Sequence, residues 1–429
     1  MSQATQELHN VGFVASPFPT TEPTAAHWTP PLAAPRDRDL CTDCGISRTA
    51  NPERCARACQ FVKPDYAALE KRVHGRERNP QDDELFFGPY TAMYQAALIH
   101  ERPGAQWTGI TTRIAERLLE TQAVDAVLTV APDPQDSWRP VPVLVTDPAA
   151  LRECRGMRMG YAPLLALLEP ALAQGYTRLA VIAVPCQVHA LRVLEPELGF
   201  ERLEVIGIPC SDNTTTAHFH HFLSLLDPHP EQITYLEFRA DYQVELRFTD
   251  GQKRTIPFLQ LPLSTLSPHF FPLPCKTCVD YTNSLADITV GYMGGRGEQW
   301  LLVRNTKGQA LLQQVDGELR KKDPSSEGKR HTAVRGFIQN TQRAAGGLPL
   351  RSTPKWIRPL VAWLMPKIGP KGLEFARARV EMKAAESVLH LRRARPNRVA
   401  QMIPPHLWTI LKPYPIEANP SESQKIALD

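Results

Sequence analysis

The chain has 429 residues, 42% of them hydrophobic and 22% charged, which is enough for two or three domains with substantial cores. It has no run of 18 apolar residues, and its opening MSQATQELHNVGF lacks a basic stretch followed by an apolar one, so neither a spanning helix nor a secretory leader is expected. The net charge of +4 hides a division: residues 321–400 hold 18 Lys and Arg against 5 Asp and Glu, which suits an acidic partner, a nucleic acid, an anionic lipid surface or a merely solvated basic tail.

Residues 1–40, rich in Pro, Thr and Ala, read as an extended arm in a chain with 40 prolines. Residues 41–90 form a cysteine segment, CTDCGISRTANPERCARAC, followed by a polar stretch ending at Pro89. From 91 to about 310 the pattern becomes mixed α/β. WTGITTRIAERLLETQ (107–122) spaces Ile110, Ile114, Leu118 and Leu119 for a helix, and VDAVLTVA and VPVLVTD read as strands. YAPLLALLEPALAQGY reads as a helix redirected at Pro170 and stopped at Gly175. RLAVIAVPC and LEVIGIPC share one grammar, an apolar strand running into Pro and then Cys. Residues 233–258 alternate with period two about Asp250-Gly251, a hairpin signal. Residues 311–429 form the basic, Pro-rich extension. In it, PKWIRPLVAWLMPKI (354–368) is apolar and aromatic, suited to packing, to a partner or to a surface.

The chain has nine cysteines, and a reduced, cytoplasmic setting would direct them to metal or redox chemistry rather than to disulfides. Eight fall into two sets, Cys41, Cys44, Cys55 and Cys59, and Cys186, Cys210, Cys275 and Cys278, with Cys154 left over. Four thiolates suit either tetrahedral zinc or a cubane 4Fe–4S cluster. The irregular spacing, and the prolines directly before Cys186, Cys210 and Cys275, favour iron–sulfur. Cys186 and Cys210 would end strands at the carboxyl edge of an open sheet, where sites form, although buried strand-end cysteines are common for packing alone.

Between the sets lie turns suited to a phosphate-bearing cofactor. Thr108, Gly109 and Thr111 open a helix, where free N–H groups and the dipole attract an anion. CSDNTTTAHF supplies a cap-rich turn, and DITVGYMGGRGEQW places Gly291, Gly294, Gly295 and Gly297 after a strand. None is a dinucleotide fingerprint, and a tight turn explains any one glycine. Beside two one-electron clusters they suit a flavin, which converts single electrons into pairs.

The order CTDCG, HGRERN, QWTGITT, CRGMRMGYAP, VPCQVHALR, IPCSDNTTT and CKTCVDYTNSLADITVGYMGG resembles the family of deazaflavin-reducing hydrogenase and dehydrogenase beta subunits. It is more closely similar to the ferredoxin-dependent branch acting on chlorophyll precursors, the 3,8-divinyl (proto)chlorophyllide 8-vinyl reductases and the sister 7-hydroxymethyl chlorophyll a reductases. The resemblance spans about residues 40–310. It implies an α/β flavin-binding core, two 4Fe–4S clusters on the two cysteine sets, reduced ferredoxin as donor and divinyl (proto)chlorophyllide as substrate. FAD would lie near Trp107, Thr108, Gly109, Thr111, Asn213, Thr214, Thr215, Asp287, Gly291, Gly294 and Gly295. Relatives often read CxxCGxC where this chain has Ser47, so Cys55 would supply the fourth ligand. For proton transfer His74, His189 and Asp287 come into view, each better suited to a capping or satisfied core role. Peripheral contact with the photosynthetic membrane and a homo-oligomeric state are compatible with this reading, and it has no place for nucleic acid. The rivals are the hydroxymethyl reductase, an electron-transferring component of a hydrogenase complex and, from another class, a zinc-stabilised nucleic-acid-binding protein.

Overall fold

The computed structural model describes residues 13–15, 39–292, 297–348 and 353–423. The longest apolar runs of the sequence become the centre of a mixed sheet. Its strands are β1 (Phe13–Ala15), β2 (Ala92–Leu98), β3 (Ala126–Asp133), β4 (Asp136–Val145), β5 (Arg178–Ala183), β6 (Arg202–Gly207), β10 (Ile288–Gly291), β11 (Gln299–Val303) and β12 (Leu319–Lys322). In space they run β1-β4-β3-β5-β6-β10-β11-β2-β12. β3, β5, β6 and β10 are mutually parallel, and the flanking pairs are antiparallel.

A parallel centre must be covered on both faces, and residues of β3 divide accordingly. Val127 and Ala131 join Ile110, Ile114 and Leu118 of the helix Ile110–Glu120 on one side. Ala126 and Leu128 pack on the other side with Leu164, Leu165 and the helix Pro185–Leu198. The mixed α/β reading of the sequence is therefore the fold observed.

Residues 233–258 form a three-stranded meander of β7 (Ile233–Phe238), β8 (Gln243–Phe248) and β9 (Lys253–Pro257). The expected turn at Asp250-Gly251 is present, Gly251 having φ 82°. A second turn at Arg239–Tyr242, with Tyr242 at φ 67°, adds the strand that the hairpin signal did not reveal. Leu236 of the meander packs with Phe219, Phe222 and Phe270 in a separate core.

Chain beyond residue 310 is woven into the same body. β12 edges the main sheet, and the helix Leu373–Ala394 shares a core with Phe61, Phe87, Trp300 and Cys278. No helix among the described residues is long and apolar enough to cross a membrane.

Candidate functional site

The first cysteine loop is fastened to the sheet by backbone. Gly45, at φ 106°, comes so close to Pro163 and Ala166 that a Cβ would lie 2.5 Å from Ala166 N. Leu165 N donates to Cys44 O at 2.9 Å, and Arg48 clamps Asp43 through Nε at 2.9 Å. Cys55 sits in the short helix Arg54–Ala58, where it lies within electrostatic reach of Cys41, Cys44 and Cys59. Ser47 is in a neighbouring 3-10 turn, Ile46–Arg48.

The second set comes from three places. Cys186 lies in the first turn of the helix Pro185–Leu198 rather than at the end of a strand. Pro185 takes the first helical position, where a missing N–H costs nothing, and β5 has already stopped at Ala183. Cys210 follows β6, its N–H donating to Tyr281 O at 3.0 Å. Cys275 ends up in the short helix Leu273–Lys276, three residues before Cys278. Cys186 and Cys278 are within electrostatic reach of Cys210, and Cys210 is within reach of Cys275.

The two sets adjoin. Cys186 is among the charges felt by Cys59, and His189 Nδ1 lies 3.0 Å from Ala58 O. Burial pushes the Cys41, Cys59 and Cys278 thiols up to about 12, and holds Cys44, Cys210 and Cys275 well above their ordinary value. Burial raises Cys55 and Cys186 as well. Burial raises the leftover Cys154 to about 12 as well, so what distinguishes the eight thiols is their grouping.

Donors already point at the sulfurs. Thr42 Oγ1 donates to Cys186 Sγ at 3.7 Å, Asp43 N to Cys41 Sγ at 3.3 Å and Gln60 Nε2 to Cys278 Sγ at 3.6 Å. Tyr66 OH, donating to Gln60 Oε1 at 2.6 Å, orients that amide. Hydrogen bonds of this kind stabilise ligand sulfur. Among the described residues no three His, Cys, Asp or Glu side chains converge on one ion position.

Two of the segments expected to hold a flavin meet directly, and a third is tied to them through the loop 155–160. Trp107 adopts φ 50°, unusual for a bulky residue, and its ring lies 4.5 Å from that of Tyr292. Gly109, at φ 88°, precedes the helix Ile110–Glu120, and Thr111 lies half-buried in its first turn. Gln299 Oε1 accepts from Ile110 N (3.0 Å) and from the buried Thr108 hydroxyl (3.3 Å), so part of this helix start is already satisfied. Asn213 Nδ2 donates to Gly160 O at 2.8 Å and its Oδ1 accepts from Gly160 N at 3.1 Å, tying the SDN turn to the loop 155–160. Arg155 in turn donates to Pro103 O at 3.0 Å, beside the Trp107 loop.

Other expected residues have structural duties. Thr214 is fully buried and its hydroxyl donates to Phe270 O, while Thr215 caps the helix Thr216–Leu226 by accepting from His218 N at 3.2 Å. Gly291 has Pro209 against it, where a Cβ would come within 2.4 Å. Asp287 accepts from Arg192 (2.7 Å), Val205 N (2.8 Å) and Asn305 (2.8 Å). Gly294 and Gly295 lie outside the described residues.

The two histidines are held neutral. Burial lowers His189 to about 4, and burial with the nearby Arg304 lowers His74 to about 4. His74 Nε2 bonds Ser284 O at 2.8 Å, whereas His189 Nε2 is buried without a hydrogen-bond partner among the described residues.

Sequence reading missed what the C-terminal helix brings. Lys383, buried, donates to Asp212 and Glu386 at 2.8 Å each, placing an ammonium beside the second thiol set. Ser387 Oγ donates to Cys278 O at 2.6 Å. Nothing in EMKAAESVLH marks these residues. Tyr292 was equally hidden, and its hydroxyl donates to the buried Glu237.

Comparison with known proteins gives matches to two family models of the coenzyme F420 hydrogenase/dehydrogenase beta subunit, its N-terminal part over residues 93–169 and its C-terminal part over 176–327. The chain is 36% identical over 399 residues to a chloroplastic 7-hydroxymethyl chlorophyll a reductase of Oryza sativa, covering 90% of this chain and 84% of that one. It is 35% identical over 379 residues to an uncharacterized protein of Nostoc sp., covering 88% and 94%. One component of the F(420)H(2) dehydrogenase of Methanosarcina mazei is 27% identical over 228 residues, covering 51% and 61%. Among solved structures, a chain of the F420-reducing [NiFe] hydrogenase complex from Methanosarcina barkeri aligns with a TM-score of 0.49 at 20% identity, covering 55% of this chain and 83% of that one.

Proposed function

The chain belongs to the family of coenzyme F420 hydrogenase/dehydrogenase beta subunits, which are oxidoreductases, and we propose that it is an iron–sulfur flavoprotein that reduces a side chain of a chlorophyll-type tetrapyrrole. The observation that carries this reading is the adjacency of two four-thiol sets, Cys186 lying within electrostatic reach of Cys59, in a chain similar over most of its length to a chlorophyll reductase.

Cys41, Cys44, Cys55 and Cys59 would hold one 4Fe–4S cluster, and Cys186, Cys210, Cys275 and Cys278 the other. The second set is gathered from three separate places in the chain, which favours a multi-atom core over a zinc knuckle. Trp107, Gly109, Thr111 and the turn at Asn213 would frame FAD. Such a set supplies one-electron carriers and a group that passes electrons in pairs. Reduced ferredoxin is the proposed donor.

The chain's own residues fix the surroundings. Thr42, Gln60 and the Asp43 N–H support sulfur ligands, and Lys383 keeps a positive charge beside the second set. Trp107 and Tyr292 wall the flavin segments, and Glu237 accepts a hydrogen bond from the Tyr292 hydroxyl.

For the substrate, our first reading is the 8-vinyl group of 3,8-divinyl (proto)chlorophyllide, which gains two electrons and two protons across its C=C bond to become ethyl. The second is the 7-hydroxymethyl group of chlorophyll a, favoured by the rice relative, where the same electrons and protons release water and leave methyl. Anaerobic incubation with reduced ferredoxin and each pigment in turn, followed by product spectra, separates them. Turnover of neither pigment, by protein with full iron and flavin, would refute both.

A further inference from the structure

The helix Arg358–Ile368 carries a face that the fold leaves bare. Trp356, Leu360, Trp363 and Ile368 are 81%, 59%, 60% and 44% exposed. Residues 356, 360, 363 and 367 share one side at helical spacing. On the opposite side Arg358 and Ala362 are buried, with Arg358 Nη1 donating to Ser264 Oγ at 3.1 Å. Beyond the helix end, Lys329 N donates to Ile368 O at 3.2 Å, and Gly369 lies against the Tyr242 ring. The segment is thus anchored from behind, with two indoles and two aliphatic side chains turned outward.

Charge along this stretch of sequence is of one sign, with Glu327, cross-strand from Lys371, standing just before it. From Gly328 to Leu373 the sequence has nine Lys and Arg and no Asp or Glu. Lys355, Lys367 and Lys371 form no ion pair among the described residues, and Lys367 Nζ lies 3.3 Å from the centroid of the Trp363 ring. By contrast Arg392 and Arg395, in the same basic region, are neutralised by Glu422 and Asp39.

We propose that this helix docks the protein on a bilayer surface bearing anionic phospholipid headgroups. The two indoles and Leu360 enter the boundary between headgroups and acyl chains, and the lysines pair with phosphates. A second copy of the chain is a poor occupant, because a symmetric contact would bring two uncompensated cationic faces together. A soluble electron donor fits poorly too. It must approach a thiol set, whereas this helix rests on Ser264, Tyr242 and the turn Phe258–Gln260, none of which hydrogen-bonds to a thiol. The inference rests on no assignment of the reduced pigment.

The test uses the full-length protein with its iron and flavin, co-sedimented with phosphatidylcholine vesicles containing about one third phosphatidylglycerol or none. Binding to the anionic vesicles, weakened by salt, is expected. Trp356→Ser combined with Trp363→Ser should weaken it by more than about tenfold. Lys355→Gln, Lys367→Gln and Lys371→Gln should each weaken it by about fivefold and flatten its salt dependence. These side chains are exposed, so iron and flavin content should stay at the parent level. No binding to anionic vesicles, or undiminished binding after the double tryptophan substitution, overturns the proposal. So does a fall in sedimentation coefficient on the double substitution without loss of vesicle binding, which would make the face a contact between copies.

Discussion

Asp287 offers the sharpest separation between a residue that holds the fold and one that holds a cofactor. Its carboxylate and the Arg192 guanidinium are 1% and 2% exposed, and the pair bridges β10 to the helix Pro185–Leu198, which carries Cys186. Replacing it with Asn keeps the shape and removes the charge. Stripping one partner from a buried pair costs about 3–5 kcal/mol, because the remaining ion is left uncompensated. Arg192 keeps Glu195 at 2.9 Å, a partner 26% exposed, which puts Asp287→Asn near the lower end, about 3 kcal/mol. Asp287→Ala also strands Val205 N, adding about 1–3 kcal/mol for that unmet buried donor, whereas Asn305 Nδ2 keeps Val73 O and His74 Nδ1 at 3.3 Å each.

At roughly 2 °C per kcal/mol for a chain of this size, Asp287→Asn should lower the thermal midpoint by about 6 °C. The assay is far-UV circular dichroism on apo and holo protein at fixed scan rate, with the flavin-to-protein ratio measured on the folded fraction. A midpoint drop with flavin retained is expected. An unchanged midpoint with flavin lost would refute the structural assignment and make the carboxylate a cofactor contact.

Cys55→Ser should cut bound iron from about eight atoms per chain to about four, since it removes a ligand from one cluster only; unchanged iron would place the fourth ligand elsewhere, with Ser47→Cys as the companion variant. Lys383→Met removes a cation that Asp212 and Glu386 hold protonated against its burial, so the reduction potential of the neighbouring cluster should fall by on the order of 50 mV in an electron paramagnetic resonance titration. An unmoved potential would mean that Lys383 serves packing alone. His74 and His189 have folded values depressed to about 4, so the unfolded chain binds more protons below pH 6.5 and stability rises with pH through that window. Each should forfeit about 2 kcal/mol between roughly pH 7 and pH 5, read as a falling urea midpoint whose slope shrinks in His189→Gln; a flat profile would contradict the burial argument.

What could be read from sequence was the chemistry that only one residue type performs. A thiol that binds metal is a cysteine wherever the chain puts it, so grouping Cys186 and Cys210 with the CKTC pair needed no knowledge of how β5 and β6 lie side by side. The buried strands were equally visible, because strands covered on both faces are apolar throughout. Polar side chains gave no such signal. Asp287 and Thr214 carry a phosphate-site appearance in sequence, yet their atoms are consumed by Arg192, Asn305, Val205 and Phe270. A polar residue has the same letter whether it meets a ligand or closes a buried backbone gap.

The C-terminal third was hardest for the same reason applied to charge. Counting Lys and Arg from 321 to 400 suggests one solvated basic surface, but a count cannot see pairing. Arg377 is spent on Asp83, Arg330 on Glu374 and Glu381, Lys383 on Asp212 and Glu386, and Arg392 on Glu422. Those cations, several on a helix buried through Ala376, Ala378, Ala384 and Ala385, fasten the C-terminal chain over the second thiol set. What remains outward includes the lysines of the stretch that has no acid of its own, around Trp356 and Trp363. One basic run in sequence is therefore two devices in space, internal ion pairs around the second thiol set and an outward face around Trp356 and Trp363. Salt should tell them apart: raising ionic strength should release the outward face from anionic vesicles while leaving the buried pairs, and with them the thermal midpoint, nearly unchanged.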